Sequence, residues 1–442
     1  MQGILSINMV DERTLKEINT CPPAKNSAEE LYILKRRIKA WGSSLCFYLC
    51  RVFSIRKNLI SVCTFEGKGG FGCNPKYIVQ ELHKQHPEYE FVWFVNKASW
   101  EKEFPSYVKK VPNTVWSRAY WLTRSKIWLD NYRKPLGTIK RKGQYYLNTN
   151  HYTIGIKTVG LLRGSGFSKM AYLVSKNDSD MIDSLIIDSS FSEEMVPRGL
   201  IYEGNLLKTG APRCDVLYGD RSEAKKNFRK KHGISENAKI IMFAPTFREG
   251  AKDGKRSVYS NPWTIDFKRL LENLTKRFGG DWYICVRVHP QLAPTFEDYK
   301  DPVVGDKIIN ESQADDLYEI LAGMDAYITD YSSACFEAGF AKMPVFLYAD
   351  DIDQYKEDRG ALFWDIQSSR LECAPANPQI FKNLKAELPF PIVMNNETLE
   401  EKILSFDEEK YNQKLKLFHE NVNLTFTGAA SKNVVKWIEE RM

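Results

Sequence analysis

Two histidines, a pair of serines and an arginine stand in this chain where residue type and spacing could do chemistry. His151 comes four residues after the apolar run 144–147, and His289 lies just beyond the run 282–288, with Arg287 two residues before it and Pro290 after it. A neutral imidazole near pH 7 can take a proton from a hydroxyl, and fixed donors nearby can hold the charge on a leaving phosphate. Thr246 and Arg248, in Ala244-Pro245-Thr246-Phe247-Arg248, follow the run 239–243 in the same way. A hydroxyl and a planar guanidinium fork suit a diphosphate, whereas Pro245 shapes the loop alone. In residues 325–333 an apolar run ends in Asp330, and Ser332 and Ser333 then open a helix. The N–H groups at such a helix start can receive a phosphate. Asp and Ser are equally ordinary helix caps, so both readings stand. His83, His86, His232 and His419 lie in polar helical or loop contexts and carry no site expectation.

These residues need strand ends to hold them, and the chain supplies them twice. Runs at 58–65, 90–95, 126–129 and 144–147 read as strands, and so do 239–243, 282–288, 326–329 and 344–348 in a second series. Between them lie helical patterns: Asn74 caps one helix with Pro75 at its first position, and Phe267, Leu270, Leu271, Leu274 and Phe278 mark the face of another. Residues 316–321 read as a further helix, and 204–221 as a connecting region. Continuous apolar strands alternating with amphipathic helices predict parallel sheets covered on both faces. Two Rossmann-like α/β domains facing a cleft are expected, with ligands beyond the carboxyl ends of the strands. The glycine-rich turn 66–72 looks like a phosphate loop but has neither the G-x-x-x-x-G-K-[ST] spacing nor the G-x-G-x-x-G register.

Composition sets bounds. At 442 residues, 43% hydrophobic and 13% aromatic, the chain holds enough for two or three globular domains. Nine scattered cysteines without zinc spacing imply reduced thiols, with Cys63 and Cys285 as small buried apolar groups. A net charge of +7 fits anionic ligands or a membrane surface and identifies neither; no nucleic-acid partner is expected. Residues 1–12 lack the order of a secretory signal, and no apolar run nears the about 20 residues that span a bilayer. Leu31, Leu34, Ile38, Trp41, Leu45, Tyr48 and Val52 form one apolar helical stripe, with Lys35, Arg36, Arg37, Lys39, Arg51, Arg56 and Lys57 off it. Such a helix lies on an anionic membrane or docks on protein, and Gly42-Ser43-Ser44 weakens its middle.

Taken in order, the motifs resemble one family. Phe65-Glu66-Gly67-Lys68-Gly69 with Asn74-Pro75-Lys76, Gly210-Ala211-Pro212-Arg213-Cys214-Asp215, the Thr246–Arg248 segment, Arg287-Val288-His289-Pro290 and 325–333 are similar to motifs of the CDP-glycerol:poly(glycerophosphate) glycerophosphotransferases. So are Tyr355 to Gly360 with Phe363 and Asp365, and the tail Gly428-Ala429-Ala430-Ser431. These are teichoic acid primases and polymerases and related capsule enzymes, and the resemblance covers about residues 58–440. It implies a GT-B-like fold: an N-terminal segment at 1–57 with the basic amphipathic helix, an acceptor-side domain at 58–215, a CDP-alditol-binding domain at 216–400 and C-terminal helices at 401–442. It implies transfer of an alditol phosphate from CDP-glycerol or CDP-ribitol to a hydroxyl of a lipid-linked glycan or polymer, with release of CMP. The protein would then be peripheral, at the cytoplasmic face of the cell membrane.

The resemblance implies that His151 deprotonates the acceptor and that His289 contacts the donor pyrophosphate. Thr246, Arg248, Ser332 and Ser333 would bind phosphates and Glu337 would face the ribose or cytidine, with Arg287 and Asp330 on the same donor side. Lys68, Asn74 and Tyr152 belong to the acceptor side. No metal site and no cofactor beyond the CDP-alditol co-substrate are expected, because no acidic pair has metal spacing. The family's Trp-His-Gly-Thr-Pro is replaced here by Asn150-His151-Tyr152-Thr153-Ile154, which removes backbone freedom and adds bulk beside the base. Glu337 stands where Asp is common. Two alternatives are a GT-B glycosyltransferase using a nucleotide sugar and a non-catalytic membrane-associated partner in envelope-polymer assembly.

Overall fold

The computed structural model describes residues 20–442 apart from 153, 253, 254 and 261, so the reading of residues 1–12 lies outside the described residues. In chain order the strands are β1 Arg56–Cys63, β2 Glu90–Val95, β3 Val108–Pro112, β4 Ser125–Asp130, β5 Tyr145–Asn148, β6 Ser184–Ile187 and β7 Asn205–Lys208, followed by β8 Lys239–Phe243, β9 Arg248–Lys252, β10 Lys255–Tyr259, β11 Trp282–Val286, β12 Ile308–Asn310, β13 Ala326–Thr329, β14 Val345–Tyr348 and β15 Ile392–Val393. The first seven form one parallel sheet in the order β3-β2-β1-β4-β5-β6-β7, and a second parallel sheet runs β12-β11-β8-β13-β14-β15, with β9 and β10 as a separate hairpin. Strands such as β2, β4, β8 and β13 are buried along nearly their whole length, which requires helices on both faces. Both orders reverse at their first strand, between β1 and β4 and between β8 and β13. Crevices for ligands open at such reversals, beyond the carboxyl ends of the strands.

The helices follow from local chemistry. Phe267–Phe278 buries Phe267, Leu270 and Leu274; Asp266 caps it by accepting from the Arg269 N–H at 3.0 Å, and Gly279 at φ +66° ends it. Ser27–Leu49 starts at Asn26, whose side chain accepts from Glu29 N–H at 2.9 Å, and runs unbroken through Gly42-Ser43-Ser44. Ile33, Ala40, Ser43 and Phe47 face the protein, and Ser44 donates to the Gly137 carbonyl at 3.1 Å. Leu31, Leu34, Ile38, Trp41, Leu45, Tyr48 and Val52 are exposed, roughly 150° around the helix from that buried face. Cys63 and Cys285 are buried inside β1 and β11.

Sequence reasoning missed the short or polar strands β3, β6, β7, β12 and β15 and the hairpin β9–β10, and it misplaced one cap. The helix Cys73–Gln85 starts one residue before Asn74, with Gly72 at its cap position. Asn74 is almost wholly buried, and its amide serves other partners, described below. The helix Ala430–Glu439 returns to the first sheet, where Val434, Val435, Trp437 and Ile438 join a core with Ile78, Val79 and Leu82. Asp215 anchors its start by accepting from the N–H groups of Ala430 at 3.0 Å and Ser431 at 2.7 Å.

The two sheets are joined by contacts that explain several of the motifs. A Cβ on Gly70 would lie 2.2 Å from Asp315 Oδ2, and one on Gly72 would lie 2.9 Å from the Asp315 carbonyl. Gly70 and Gly72 are therefore glycine because the loop of the second sheet presses against them, whereas Gly69 is crowded by Thr64 and Phe65 of its own turn. Buried Lys76 pairs with Asp316 at 3.0 Å and Glu319 at 2.6 Å. Residues just after His151 are clamped too: Trp364 Nε1 donates to the Gly155 carbonyl at 2.8 Å, and Phe363 N–H to that of Ile156 at 2.8 Å. At the centre, Arg213 and Glu337, both fully buried, form an ion pair, and Tyr318 donates to the same carboxylate at 2.6 Å. Glu337→Ala would leave the guanidinium charge buried without a counter-charge, and should destabilise the protein by about 3–5 kcal/mol in urea unfolding. A loss below about 1 kcal/mol would show the pair to be dispensable.

Candidate active site

His151 sits on the loop that leaves β5. Asn148 Oδ1 accepts from Asn150 N–H at 2.8 Å, and Asn150 Oδ1 accepts from His151 N–H at 2.8 Å. Asn150 has φ +53°, a left-handed conformation that Asn tolerates better than most residues. The ring Nδ1 lies 2.9 Å from the Asn131 carbonyl. A carbonyl only accepts, so Nδ1 carries the hydrogen and Nε2 keeps its lone pair. Burial pushes the pKa of His151 down to about 4; the Asn131 bond opposes this, while the charges of Arg213 and Arg133 reinforce it. The imidazole is thus a neutral base at physiological pH. Tyr152 packs edge-on against it at 4.7 Å between ring centres, with Phe65 and Tyr132 each at 5.5 Å.

Asn74 explains how this loop is held. Its Nδ2 donates to the carbonyls of Thr149 at 2.8 Å and Asn150 at 3.0 Å, and its Oδ1 accepts from Arg213 N–H at 3.0 Å. Arg213 Nε then donates to Glu337 at 3.1 Å, on the helix Ala334–Phe340. Two side chains therefore connect the loop bearing His151 to the helix that Ser332 and Ser333 precede. Glu337, expected to face a ribose, is enclosed in this connection, because Arg213 and Tyr318 claim its carboxylate.

The donor-side residues meet where the second sheet reverses. Asp330, after β13, accepts from Thr246 N–H and Thr246 Oγ1, each at 2.9 Å, and from Arg248 at 3.0 Å. Arg248 also forks onto Asp351 at 2.6 and 2.9 Å and lies over the stacked rings of Tyr331 and Tyr355. Arg248 and Asp330, expected to touch the donor, are bonded to each other and brace the strand ends, and both also line the cleft that opens there. Arg287 is likewise buried, donating to the carbonyls of Glu311 at 2.7 Å and Ala314 at 2.8 Å. It shapes the loop that meets Gly70 and does not extend into a cleft.

Other expected residues remain accessible. His289 is half-buried beside Phe247 at 4.5 Å, and its Nδ1 accepts from Gln291 N–H at 3.2 Å, so Nε2 bears the proton and can donate. Ser332 and Ser333 are half-buried just ahead of their helix, and Ser333 makes no capping bond. A cleft bounded by Thr246, Trp263, Thr264, Asp330 and Asp350 opens at the same reversal. Lys68 is exposed and loosely paired with Glu66 at 3.9 Å. The remaining histidines have structural partners: His86 pairs with Glu439, His232 with Glu311, His83 stacks on Tyr107 and His419 packs on Phe340. Two site residues escaped sequence reasoning. Arg213 was visible as part of a motif without a role, and Asn131 was visible only as the position after a strand.

Comparison with known proteins fits this arrangement. A family model described as CDP-glycerol:poly(glycerophosphate) glycerophosphotransferase matches residues 45–369. The teichoic acid poly(glycerol phosphate) polymerase of Bacillus subtilis (strain 168) is 24% identical over 404 residues, covering 89% of this chain and 50% of that protein. The polymerase of the same description from Staphylococcus epidermidis is 27% identical, covering 84% of this chain and 49% of its own length. This chain thus spans about half the length of those two relatives. The teichoic acid glycerol-phosphate transferase of Staphylococcus aureus is 28% identical, with 86% of this chain and 93% of that protein covered. A solved structure of the wall teichoic acid polymerase TagF superposes with a TM-score of 0.72 at 24% identity, covering 93% of this chain and 98% of that one, and so shares the fold. With its motifs set at the strand ends of two parallel sheets and the family model matched across both, the chain belongs to the CDP-glycerol:poly(glycerophosphate) glycerophosphotransferase family.

Proposed function

We propose that this protein transfers an alditol phosphate, glycerol phosphate foremost, from a CDP-alditol to a hydroxyl of a lipid-linked glycan or polymer acceptor in teichoic acid or capsule-type polymer synthesis. The observation that carries this reading is His151: a neutral imidazole with Nδ1 bonded to Asn131 and Nε2 left as base, in a chain of this family. The S. aureus relative, which matches over most of its length, is a glycerol-phosphate transferase, and a TagF structure was obtained after soaking with CDPG. The two sheets would act as a GT-B-like pair, the first holding the acceptor and the second the nucleotide.

In this reading Nε2 of His151 takes the acceptor hydroxyl proton as that oxygen attacks the β-phosphorus of the CDP-alditol. The new phosphorus–oxygen bond forms while the bond from that phosphorus to the bridging oxygen breaks, and the electron pair leaves with CMP. His289, Ser332 and Ser333 would bind the donor phosphates and the charge on CMP. Thr246, Arg248, Arg287, Asp330 and Glu337 would serve by holding those elements in place. No cofactor beyond the CDP-alditol enters the scheme.

We also place the protein at the cytoplasmic face of an anionic membrane. No helix among the described residues is long and apolar enough to cross a bilayer. The bare stripe of Ser27–Leu49 supports a peripheral seat, since its opposite face is already fastened to the protein.

His151→Ala should lower CMP release by about 10²–10⁴-fold with bound donor retained. Because burial lowers the pKa of His151, the neutral base persists until pH falls to about 4. The kcat/KM profile for the acceptor should therefore stay flat from pH 6 to 8 and decline only toward that value; an ascending limb centred near the ordinary histidine pKa of about 6.5 would contradict the assignment. A panel of CDP-glycerol, CDP-ribitol and UDP-sugars separates this reading from a glycosyltransferase. For the membrane, Ile38→Asp, Trp41→Asp and Leu45→Asp together should abolish co-sedimentation with phosphatidylglycerol vesicles and leave the melting temperature unchanged. Undiminished binding would reject that seat.

A further inference from the structure

The first sheet also reverses, between β1 and β4, and the crevice there holds two cations that the transfer step above leaves unused. Arg118 comes from the helix Val115–Arg124, and Arg133 follows the β4 exit by three residues. Both line a small cleft together with Glu66, Asn113, Asp130 and Lys134. Arg118 donates through Nη1 to Asn113 Oδ1 at 2.9 Å and to the Asn113 carbonyl at 3.3 Å, while its Nε is buried with no partner. Arg133 donates to Ser175 Oγ at 2.8 Å, to the Ala171 carbonyl at 3.4 Å and to Tyr132 Oη at 3.4 Å. Every one of these partners is neutral. Among the described residues, neither guanidinium is paired with a carboxylate.

The two carboxylates of the cleft do not supply the missing charge. Asp130 is claimed by buried Lys134 and by the Tyr132 N–H at 3.0 Å. Glu66 is about half exposed and sits against Lys68. Half-buried guanidiniums without a counter-charge are unfavourable, and a planar fork with an unused N–H is the geometry that phosphate oxygens complete. The position matters as well. Asn131, whose carbonyl fixes the His151 ring, and Tyr132, which packs on that ring, lie between Asp130 and Arg133 in the chain. The charge of Arg133 reaches His151, where it helps keep the imidazole neutral.

We propose that Arg118 and Arg133 form an anion seat that takes a phosphate carried by the acceptor, beside the hydroxyl that His151 deprotonates. This rests on the transfer reading above and adds to it the substrate class: an acceptor bearing a phosphate monoester or diester close to its reacting hydroxyl. Each unit added by the reaction brings such a phosphate with it, so the seat would accept the product of one turnover as the acceptor of the next.

The test uses the full-length protein and two readouts. sn-Glycerol 3-phosphate in solution should raise the melting temperature of the wild type and compete with the acceptor. Both effects should vanish in the double variant Arg118→Gln, Arg133→Gln. The same variant should raise the acceptor KM about tenfold or more, the scale of one lost charge-assisted bond; the single variant Arg118→Gln, which leaves the charge of Arg133 on His151 in place, should raise it too while slow CDP-glycerol hydrolysis without acceptor continues. Arg118→Lys, which keeps the charge and loses the fork, should fall between the two. Phosphate-bearing acceptors free in solution and linked to lipid, run in parallel, show which source fills the seat, and a KM rise for either supports it. An unchanged acceptor KM with intact donor hydrolysis overturns the seat and leaves the transfer reading standing. Absence of protection of the wild type by sn-glycerol 3-phosphate also overturns it, whatever the variants do. Absence of CDP-alditol turnover in the wild type removes the transfer reading, and the seat with it.

Discussion

Burying a charge is unfavourable unless a partner of opposite sign is buried with it, and the molecule is organised around one such obligation. Arg213 leaves the end of the first sheet's chain path and enters the interior, where Glu337 of the second sheet neutralises it. Each of the two charges is met by the opposite charge from the other half. The two sheets must therefore meet in one register, and everything that touches the pair inherits that register. Asn74 touches it through the Arg213 N–H and passes the constraint to the carbonyls that flank His151. The helix that starts after Ser333 carries it on the other side. His151 in one half and Ser332 and Ser333 in the other are thus placed by the same ion pair. Preorganisation of this kind is what electrostatic catalysis requires.

Much of this was legible in the sequence, and what was not has physical causes. β2, β8 and β13 have the bounds read from their apolar runs, because fully buried strands carry an unambiguous signal. β7 and β12 are short or edge strands with mixed polarity, and only their neighbours make them strands. The strand-end rule selected His151, His289, Thr246, Asp330 and the serine pair, since it depends on order along the chain, and the structure sets all of them just beyond strands. It could not tell a residue that faces a ligand from one that faces its own protein. Arg248, Arg287 and Glu337 are polar residues at strand ends or a helix start, as ligand contacts are, yet their donors and acceptors are consumed internally. Asn74 failed in the same way: a good cap by type and position, taken instead by two carbonyls from a loop far away in sequence.

The glycine-rich turn shows the same limit. Glycines near a helix start suggest a phosphate, and here Gly70 and Gly72 mark where the turn meets the Asp315 side chain and backbone of the other half. The distinction lies in what would occupy the space of a missing Cβ, which no local pattern records. The opposite holds at the reversal of the first sheet, where Arg118 and Arg133 drew no notice in the sequence, since lone arginines on a helix and a loop are ordinary there. Their bonding to neutral partners alone makes them unusual only in three dimensions.

The returning helix Ala430–Glu439 has a consequence for how the protein comes into being. Its Val434, Val435, Trp437 and Ile438 complete a core whose other members, among them Ile78, Val79 and Leu82, are made more than three hundred residues earlier. During synthesis that part of the apolar surface lacks the cover of Ala430–Glu439 until this helix has left the ribosome. The first half of the chain therefore waits, partly uncovered, while the second half is made, and is exposed to aggregation or to chaperones for that interval. The order of translation and the order of completion are reversed in this molecule: the half synthesised first is sealed last.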